Sequence, residues 1–463
     1  MKRINSYNEL FNLLNVEDDL TVSFHHHLRN GDYVLNKTML ELDKLNIKNL
    51  TLAASGIFNA HEPIVPLIEK GTISSIYTNY LNGPVAKVVS EGKLKDKLIM
   101  QTHGGRPRSI EEGELVIDIA FIAVSAVDKS GNGNGTDGST VLGALGYSIS
   151  DVEKAKQVVL ITDTVVDELS YVEIDGKYVD YVLVLDEIGD QFLIQSGTTS
   201  ITRNPVSLKI ARDTVSVIEE TGYLKNGLSF QTGAGGTSLA VAKYLKKKMI
   251  KNNIKGSFAS GGITGYLVDM LEEGLFDELY DVQCFDLDAV RSLKKNKNHH
   301  LMSASEYANP LTSPIVDKLD IMILGATEID VNFNVNVTTA SDGYIIGGSG
   351  GHSDTAAGSK LAIVVTNLVK ARTPIIVDEV LTKTTPGKDI DILVTEYGIA
   401  INPLRGDLLN KLEDSELKIK TIEELRSIAS NLVGKEKRLK KSNDVIGYVE
   451  YRDGNIIDKI YKV

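Results

Sequence analysis

The sequence contains one cysteine, Cys284, in 463 residues. A single thiol excludes an intramolecular disulfide and any cysteine cage around a metal. Cys284 lies in the strand-like Asp281-Val-Gln-Cys-Phe285 and reads as core packing. Long apolar runs are missing too, and none has the length that a bilayer crossing needs, so no membrane partner is expected. Met1-Lys-Arg3 is positive, but the apolar stretch behind it is broken by Asn12, Asn15 and Glu17, which is not a signal-peptide pattern. The cytoplasm is therefore the expected compartment. Nor is there a surplus of positive charge: the formal net charge is −12. Phosphate neutralisation needs clustered Lys and Arg, so a nucleic-acid partner is not expected.

What is present is the composition of a soluble globular protein, with 42% hydrophobic and 24% charged residues. The length exceeds one ordinary core and predicts two or more domains. Strands alternate with helices, and glycine-rich turns sit on the strand ends, which predicts parallel α/β layers. Val22-Ser-Phe24 reads as a strand, followed by a helix through Val34, Met39, Leu42 and Leu45 and a strand at Leu50-Thr-Leu-Ala53. Leu115 to Val127 is a continuous apolar run, as expected of a strand buried on both faces. Asn204-Pro205 is a break, and Val206 to Glu220 is a helix-like connector.

The two halves repeat. Ser23-Phe24 matches Ser229-Phe230, Ala53-Ala-Ser-Gly-Ile57 matches Ala259-Ser-Gly-Gly-Ile263, and Leu67-Ile-Glu-Lys-Gly71 matches Met270-Leu-Glu-Glu-Gly274. Asp128-Lys-Ser-Gly-Asn-Gly-Asn134 matches Asp330-Val-Asn-Phe-Asn-Val-Asn336. Four matches in order predict two tandem α/β domains of one fold, residues 1–205 and 206–463. The tail closes with Asp453-Gly454 between two alternating runs, a hairpin signal. The basic run Lys435 to Lys441 before it reads as a solvated segment.

Three places are candidates for chemistry. Glu328 stands at the end of the apolar strand Ile321 to Leu324, and in the register of the repeat its counterpart is Ala126. A carboxylate there is costly unless paired or used, so the readings are a nucleophile or base, a salt bridge, or an exposed loop position. Gly347-Gly-Ser-Gly-Gly351, with His352 and Asp354, is glycine-rich enough to point successive N–H groups at an oxyanion, or is a tight strand-to-helix turn. Thr232-Gly-Ala-Gly-Gly-Thr-Ser238 opens a helix and favours an anion such as a pyrophosphate. It matches neither the P-loop nor the dinucleotide fingerprint. His25-His-His27 alternates faces on a strand and cannot ligate one ion, and Asp128 to Ser139 lacks the final Glu of a calcium loop, so no metal is expected.

These pieces together resemble the alpha-subunit family of bacterial citrate lyase, the citrate CoA-transferase component. The likeness covers nearly the whole chain and is carried by Ser260-Gly-Gly-Ile-Thr-Gly-Tyr-Leu-Val-Asp-Met-Leu-Glu-Glu-Gly274, Phe285-Asp-Leu-Asp-Ala-Val-Arg291, Gly347-Gly-Ser-Gly-Gly-His-Ser-Asp-Thr355 and Tyr451-Arg-Asp-Gly454. Ser23-Phe-His-His-His-Leu-Arg-Asn-Gly-Asp32 and Asp118-Ile-Ala-Phe-Ile-Ala123 carry it in the first half. More distantly, Thr327-Glu-Ile-Asp330, the glycine turn after it and Gln231-Thr-Gly-Ala-Gly235 are similar to elements of acyl-CoA:carboxylate CoA-transferases.

The resemblance implies a tandem ribose-5-phosphate-isomerase/CoA-transferase-like fold. It implies Glu328 as the catalytic residue, and Gly233, Gly235, Gly236, Gly348, Gly350 and Gly351 against the CoA-like donor. The implied reaction moves a thioester from acetate to citrate without metal or redox cofactor. Its donor is acetyl-CoA or an acetylated, dephospho-CoA-derived arm on an acyl-carrier (gamma) subunit, and the product passes to a beta (lyase) subunit in an oligomeric complex. Two routes are implied by the two likenesses: attack by Glu328 on the thioester, or direct attack by citrate through a mixed anhydride, with Glu328 orienting citrate or acting as base. Citrate is a trianion, so this acidic chain needs a local cationic pocket. Arg29, His103, Arg106, Arg108 and His352 are the expected substrate contacts. Competing readings are a transferase for citramalate or a short-chain acid, a non-catalytic ligand-binding scaffold, and a sugar-phosphate isomerase.

Overall fold

A computed structural model of the chain describes residues 2–195, 201–233, 235–434 and 441–463. Two large sheets organise it, one of ten strands and one of eight. The first runs Lys2–Ile4, Tyr181–Val184, Gln157–Thr162, Ile119–Ala123, Thr21–Phe24, Leu50–Ala54, Ile73–Thr78, Leu98–Met100, Val445–Glu450, Ile456–Tyr461. The second runs His299–Leu301, Phe276–Cys284, Gly256–Ile263, Ser229–Thr232, Ile321–Leu324, Leu361–Val365, Ile392–Thr395, Gly398–Ile401. All neighbours are parallel except the last pair of each sheet. Omitting the first sheet's outermost strand and C-terminal hairpin, and the second's antiparallel edge strand, leaves the same strand order in both halves, with Thr21–Phe24 corresponding to Ser229–Thr232.

The central strands are buried along their whole length: Ile119–Ala123, Ile321–Leu324 and Leu361–Val365. Both faces are covered by helices, which is why these strands are uniformly apolar. The run Leu115 to Val127 is divided, because the chain leaves the sheet after Ala123 and forms a separate short strand at Ala126–Val127. The connector is a helix, Pro205–Glu220, started by the Asn204 side chain accepting from the N–H groups of Val206 and Ser207, with proline in its first turn. Its buried residues Ile210, Ala211, Thr214, Val217 and Ile218 fall at helical spacing.

The C-terminal hairpin forms as Asp453-Gly454 predicts, with Gly454 at φ +92°. It adds to the edge of the first sheet, Gly447 to Val449 pairing with Leu98 to Met100. Residues 445–461, contiguous in sequence with the second half, thus lie on the first. Apart from Lys441, the basic run Lys435 to Lys441 lies outside the described residues. No helix among the described residues is long and apolar enough to cross a membrane.

Each half inserts a turn into the other. Gly143 and Gly146 of the first pack so closely on the second that a Cβ would lie 2.5 Å from Cys284 Cβ at Gly143 and reach the Met302 carbonyl at Gly146. The turn Gly347 to Gly351 does the same in the opposite direction, against Asn79 and Thr102. The seam between the halves is where the candidate site lies.

Candidate active site

A small antiparallel hairpin recurs in both halves. In the second, Glu328 pairs with Asn336; in the first, Ala126 pairs with Asn134. An aspartate shapes each hairpin. The Asp330 carboxylate accepts from the N–H groups of Asn332 and Asn334, and Asp128 accepts in the same way from Ser130 and Asn132. The asparagine Oδ1 then accepts two N–H groups in each copy, from Thr338 and Thr339 at Asn336 and from Thr136 and Asp137 at Asn134. The scaffold is kept in both halves and the carboxylate in only one.

Glu328 is buried at 7% exposure. Its Oε2 accepts from Asn336 Nδ2 at 2.9 Å and from the Leu381 N–H at 2.9 Å. Oε1 has no hydrogen-bond partner among the described residues. A carboxylate anchored through one oxygen and open at the other is oriented and still able to attack or take a proton.

His352 begins the helix His352–Gly358 and is buried. Nε2 donates to the Gly325 carbonyl at 2.9 Å, and Nδ1 therefore accepts from the Thr385 hydroxyl at 2.7 Å. Burial pushes its pKa down to about 4, so the ring is neutral near pH 7. With both nitrogens engaged, His352 fixes the strand end that delivers Glu328 and has no free nitrogen for a substrate.

The turn at 347–351 is glycine-rich because other segments of the chain press closely on it. A Cβ at Gly348 would strike the Asn79 carbonyl, and one at Gly351 would lie 2.5 Å from the Tyr307 hydroxyl. Gly350 has φ +50°; its N–H donates to Asn79 O and its carbonyl accepts from the His103 N–H. The Gly350 N–H is thus used between the halves, whereas the Gly351 N–H bonds to no described residue. Asp354 clamps the same seam, accepting from Thr102 Oγ1 at 2.8 Å and the Gly104 N–H at 3.0 Å. Burial raises its pKa to about 6.

Gly233 donates its N–H to Ile323 O, which ties this turn to the strand leading to Glu328. Gly235 caps the helix Gly236–Asn252. A Cβ at Gly233 or Gly235 would meet only ordinary contacts, so packing does not demand these glycines. Open backbone at the start of a 17-residue helix suits an anion. Beside it Gln231 Nε2 donates to the Tyr307 hydroxyl at 2.7 Å, and Ser260 Oγ donates to Gln231 Oε1.

The first half supplies an aromatic wall. His103 and Tyr147 rings are 4.4 Å apart, His26 and Tyr147 4.9 Å, and Phe58 and Tyr80 5.1 Å. Burial pushes His103 down to about 3, keeping it uncharged. Arg29, at φ +54°, holds its guanidinium 4.0 Å over the Phe285 ring from the other half. Burial lowers its pKa to about 10, which leaves it cationic.

Arg106 and Arg108 are held by acids of this chain. Arg106 forms a buried bidentate pair with Asp151, at 2.7 and 2.8 Å. Arg108, itself buried, forms a bidentate pair with the exposed Glu114, at 2.8 and 2.7 Å. Their spacing in His103-Gly-Gly-Arg-Pro-Arg108 suggested a cationic loop, but the segment is a helix, Gly105–Glu111, whose arginines face acids of the chain itself. Asn336, Leu381, Tyr307, Tyr147 and Phe285 are parts of the site that the sequence reading did not assign. Of these only Asn336 carried a signal, through its match to Asn134.

Comparisons with known proteins give the family and the fold. A family model described as "Citrate lyase, alpha subunit (CitF)" matches residues 1–463. The citrate lyase alpha chain of Escherichia coli (strain K12) is 45% identical over 453 residues, covering 97% of this chain and 88% of that protein. The citrate lyase alpha chain of Haemophilus influenzae is 43% identical, covering 100% and 93%. A crystal structure described as the alpha subunit of citrate lyase in complex with citrate, from Streptococcus mutans, has a TM-score of 0.97 and 43% identity, with 100% of this chain and 91% of that one covered. At the level of fold alone, the alpha subunit of a malonate decarboxylase from Acinetobacter baumannii aligns with a TM-score of 0.66 at 15% identity, over 91% and 83%. A 4-hydroxybutyrate CoA-transferase from Porphyromonas gingivalis aligns at 0.59 and 16%, over 93% and 97%. The chain belongs to the citrate lyase alpha-subunit family, on a CoA-transferase-like α/β fold.

Proposed function

We propose that this chain is a citrate CoA-transferase that moves a thioester carrier from acetate to citrate. The observation that carries the reading is Glu328, a carboxylate held by one oxygen on a scaffold whose other copy has Ala126. Citrate, the ligand named for the Streptococcus mutans relative, is the acceptor. Its carboxylate oxygen attacks the acetyl carbonyl, the C–S bond breaks and the thiolate leaves, giving a mixed anhydride. The thiolate then attacks the citryl carbonyl, the C–O bond breaks and acetate leaves. In this route Glu328 orients the acceptor; in the alternative route its Oε1 makes the first attack. The Gly351 N–H, which bonds to no described residue, receives the oxyanion.

Arg29 is the cation for the citrate carboxylates, in a wall otherwise kept neutral by buried histidines. Gly233, Gly235 and Gly236 receive the donor, CoA or a dephospho-CoA-derived arm on an acyl-carrier subunit. The beta and gamma subunits of a citrate lyase complex are the partners, the cytoplasm is the compartment, and 1–205 and 206–463 are the two units, the second lending its terminal hairpin to the sheet of the first. Acetate release from acetyl-CoA, with citrate or citramalate as acceptor, tests the reading. Citrate-dependent release supports it, and no release with acetyl-CoA or an acetylated carrier overturns it.

A further inference from the structure

Between the helices Pro205–Glu220 and Gly236–Asn252 lies an open groove of about 280 Å³, lined by Arg212, Ser216, Glu219, Tyr244, Lys247 and Lys251 among others. The Arg212 guanidinium is 5.9 Å from the Tyr244 ring centroid and the Lys247 ammonium 5.7 Å, so both cations are held about one ring. The one acid in the groove is already matched: Glu219 pairs with Lys248 at 2.6 Å. Neighbouring lysines are matched as well, Lys209 to Asp213 and Lys246 to Glu273. Arg212, Lys247 and Lys251 form no ion pair among the described residues.

This pattern is unfavourable to the free chain. Lys243, Lys247 and Lys251 follow one another at i, i+4 along one helix face, where like charges repel. On a chain of net charge −12, a cationic groove is also a local reversal of sign. The general field keeps an acidic partner away from the rest of the surface and directs it here. The partner is an acidic protein rather than a nucleic acid, because the patch is short and the surrounding field repels a long polyanion.

The helix links the groove to the site. It begins at the Gly235–Gly236 turn, and with a rise of about 1.5 Å per residue Tyr244 and Lys251 lie about 12 and 22 Å along it. A protein seated in the groove would stand about 12–22 Å from the Gly235–Gly236 turn and would have to reach that turn by an extended group. We infer that this groove docks an acidic carrier protein that presents its thioester on a long flexible arm, an inference that rests on the acyl-exchange reading above.

The test compares wild type with the triple variant Arg212→Glu, Lys247→Glu, Lys251→Glu, using the full chain and an acetylated, fluorescently labelled carrier subunit. Binding is read by anisotropy, and acyl transfer to citrate is measured from the carrier and from free acetyl-CoA. The expected result is a loss of carrier affinity of tenfold or more, a carrier KM raised to match, and unchanged kcat and KM with acetyl-CoA. The neutral triple Arg212→Gln, Lys247→Gln, Lys251→Gln should fall between, and wild-type affinity should drop with added salt. Unchanged carrier affinity overturns the inference, as does an equal loss with both donors. Failure of wild type to transfer from either donor overturns the acyl-exchange reading instead, and anisotropy still decides the docking site.

Discussion

Asn336 donates its side-chain amide to Glu328 Oε2 at 2.9 Å, and Asn134, in the same position of the first half, faces Ala126. Asn336 orients the Glu328 carboxylate across its hairpin; its twin, with Ala126 opposite, gives its amide to Asp137 and the Tyr171 carbonyl instead. Replacing Asn336 by Asp keeps the oxygen that accepts the Thr338 and Thr339 N–H groups but turns the donor into an anion beside Glu328. A neighbouring like charge disfavours ionisation. The acid limb of the kcat/KM–pH profile should therefore move to higher pH, with activity at pH 7 down by about tenfold to a hundredfold. An unmoved limb would remove Asn336 from the account.

Gly351 has φ −91°, which any residue adopts, so Gly351→Ala is a steric test alone. The added methyl meets the Tyr307 hydroxyl and should cost about 1–3 kcal/mol. Tyr307→Phe removes the obstructing atom, and the double variant should recover part of the melting temperature and of kcat. No recovery would mean that the turn is closed by other contacts.

Arg29 and Arg106 should separate. Arg106→Gln leaves Asp151 buried without its partner and should destabilise the fold by about 3–5 kcal/mol. Arg29→Lys keeps the charge but loses the stacking on Phe285, and should raise the KM for citrate several-fold with little change in melting temperature. The reverse outcome would assign substrate contact to Arg106.

Glu173 sits beneath the first half's turn, its Oε1 accepting from the Leu145 N–H at 2.6 Å. Burial, with some repulsion from Asp281, raises its pKa from 4.5 to about 8. The native state then holds a proton between pH 4.5 and 8 that the unfolded chain has released. Stability contributed by this group is present below pH 4.5 and falls as pH rises to 8, by at most about 1.4 kcal/mol per pH unit. Glu173→Gln should abolish that component, seen as the difference between the two unfolding profiles across this window.

Much of this was readable in the sequence where the determinant is local. The Asp128 and Asp330 runs revealed the repeat because each aspartate caps the next few backbone amides, so residue type and spacing are fixed together. Asp453-Gly454 specified a hairpin for the same reason. Its seat beside Leu98–Met100 was invisible, since strands separated by that much chain leave no periodic trace. Arg106 and Arg108 misled for a related reason: a basic loop and arginines paired to Asp151 and Glu114 look alike until the acids are in view. The Gly347 to Gly351 turn drew notice as a possible oxyanion site, yet packing accounts for glycine there: Gly348 meets the Asn79 carbonyl of the other half and Gly351 meets Tyr307 of its own.

The central claim is that chemistry resides at Glu328. The most direct measurement is citrate-dependent acetate release from acetyl-thioester by wild type, Glu328→Gln and Glu328→Ala, each checked for an unchanged melting profile. Gln keeps an oxygen to accept the Asn336 and Leu381 N–H groups but cannot act as nucleophile or base. The account predicts that both variants fold and lose kcat by about a thousandfold. A Glu328→Gln enzyme with near wild-type kcat would contradict it.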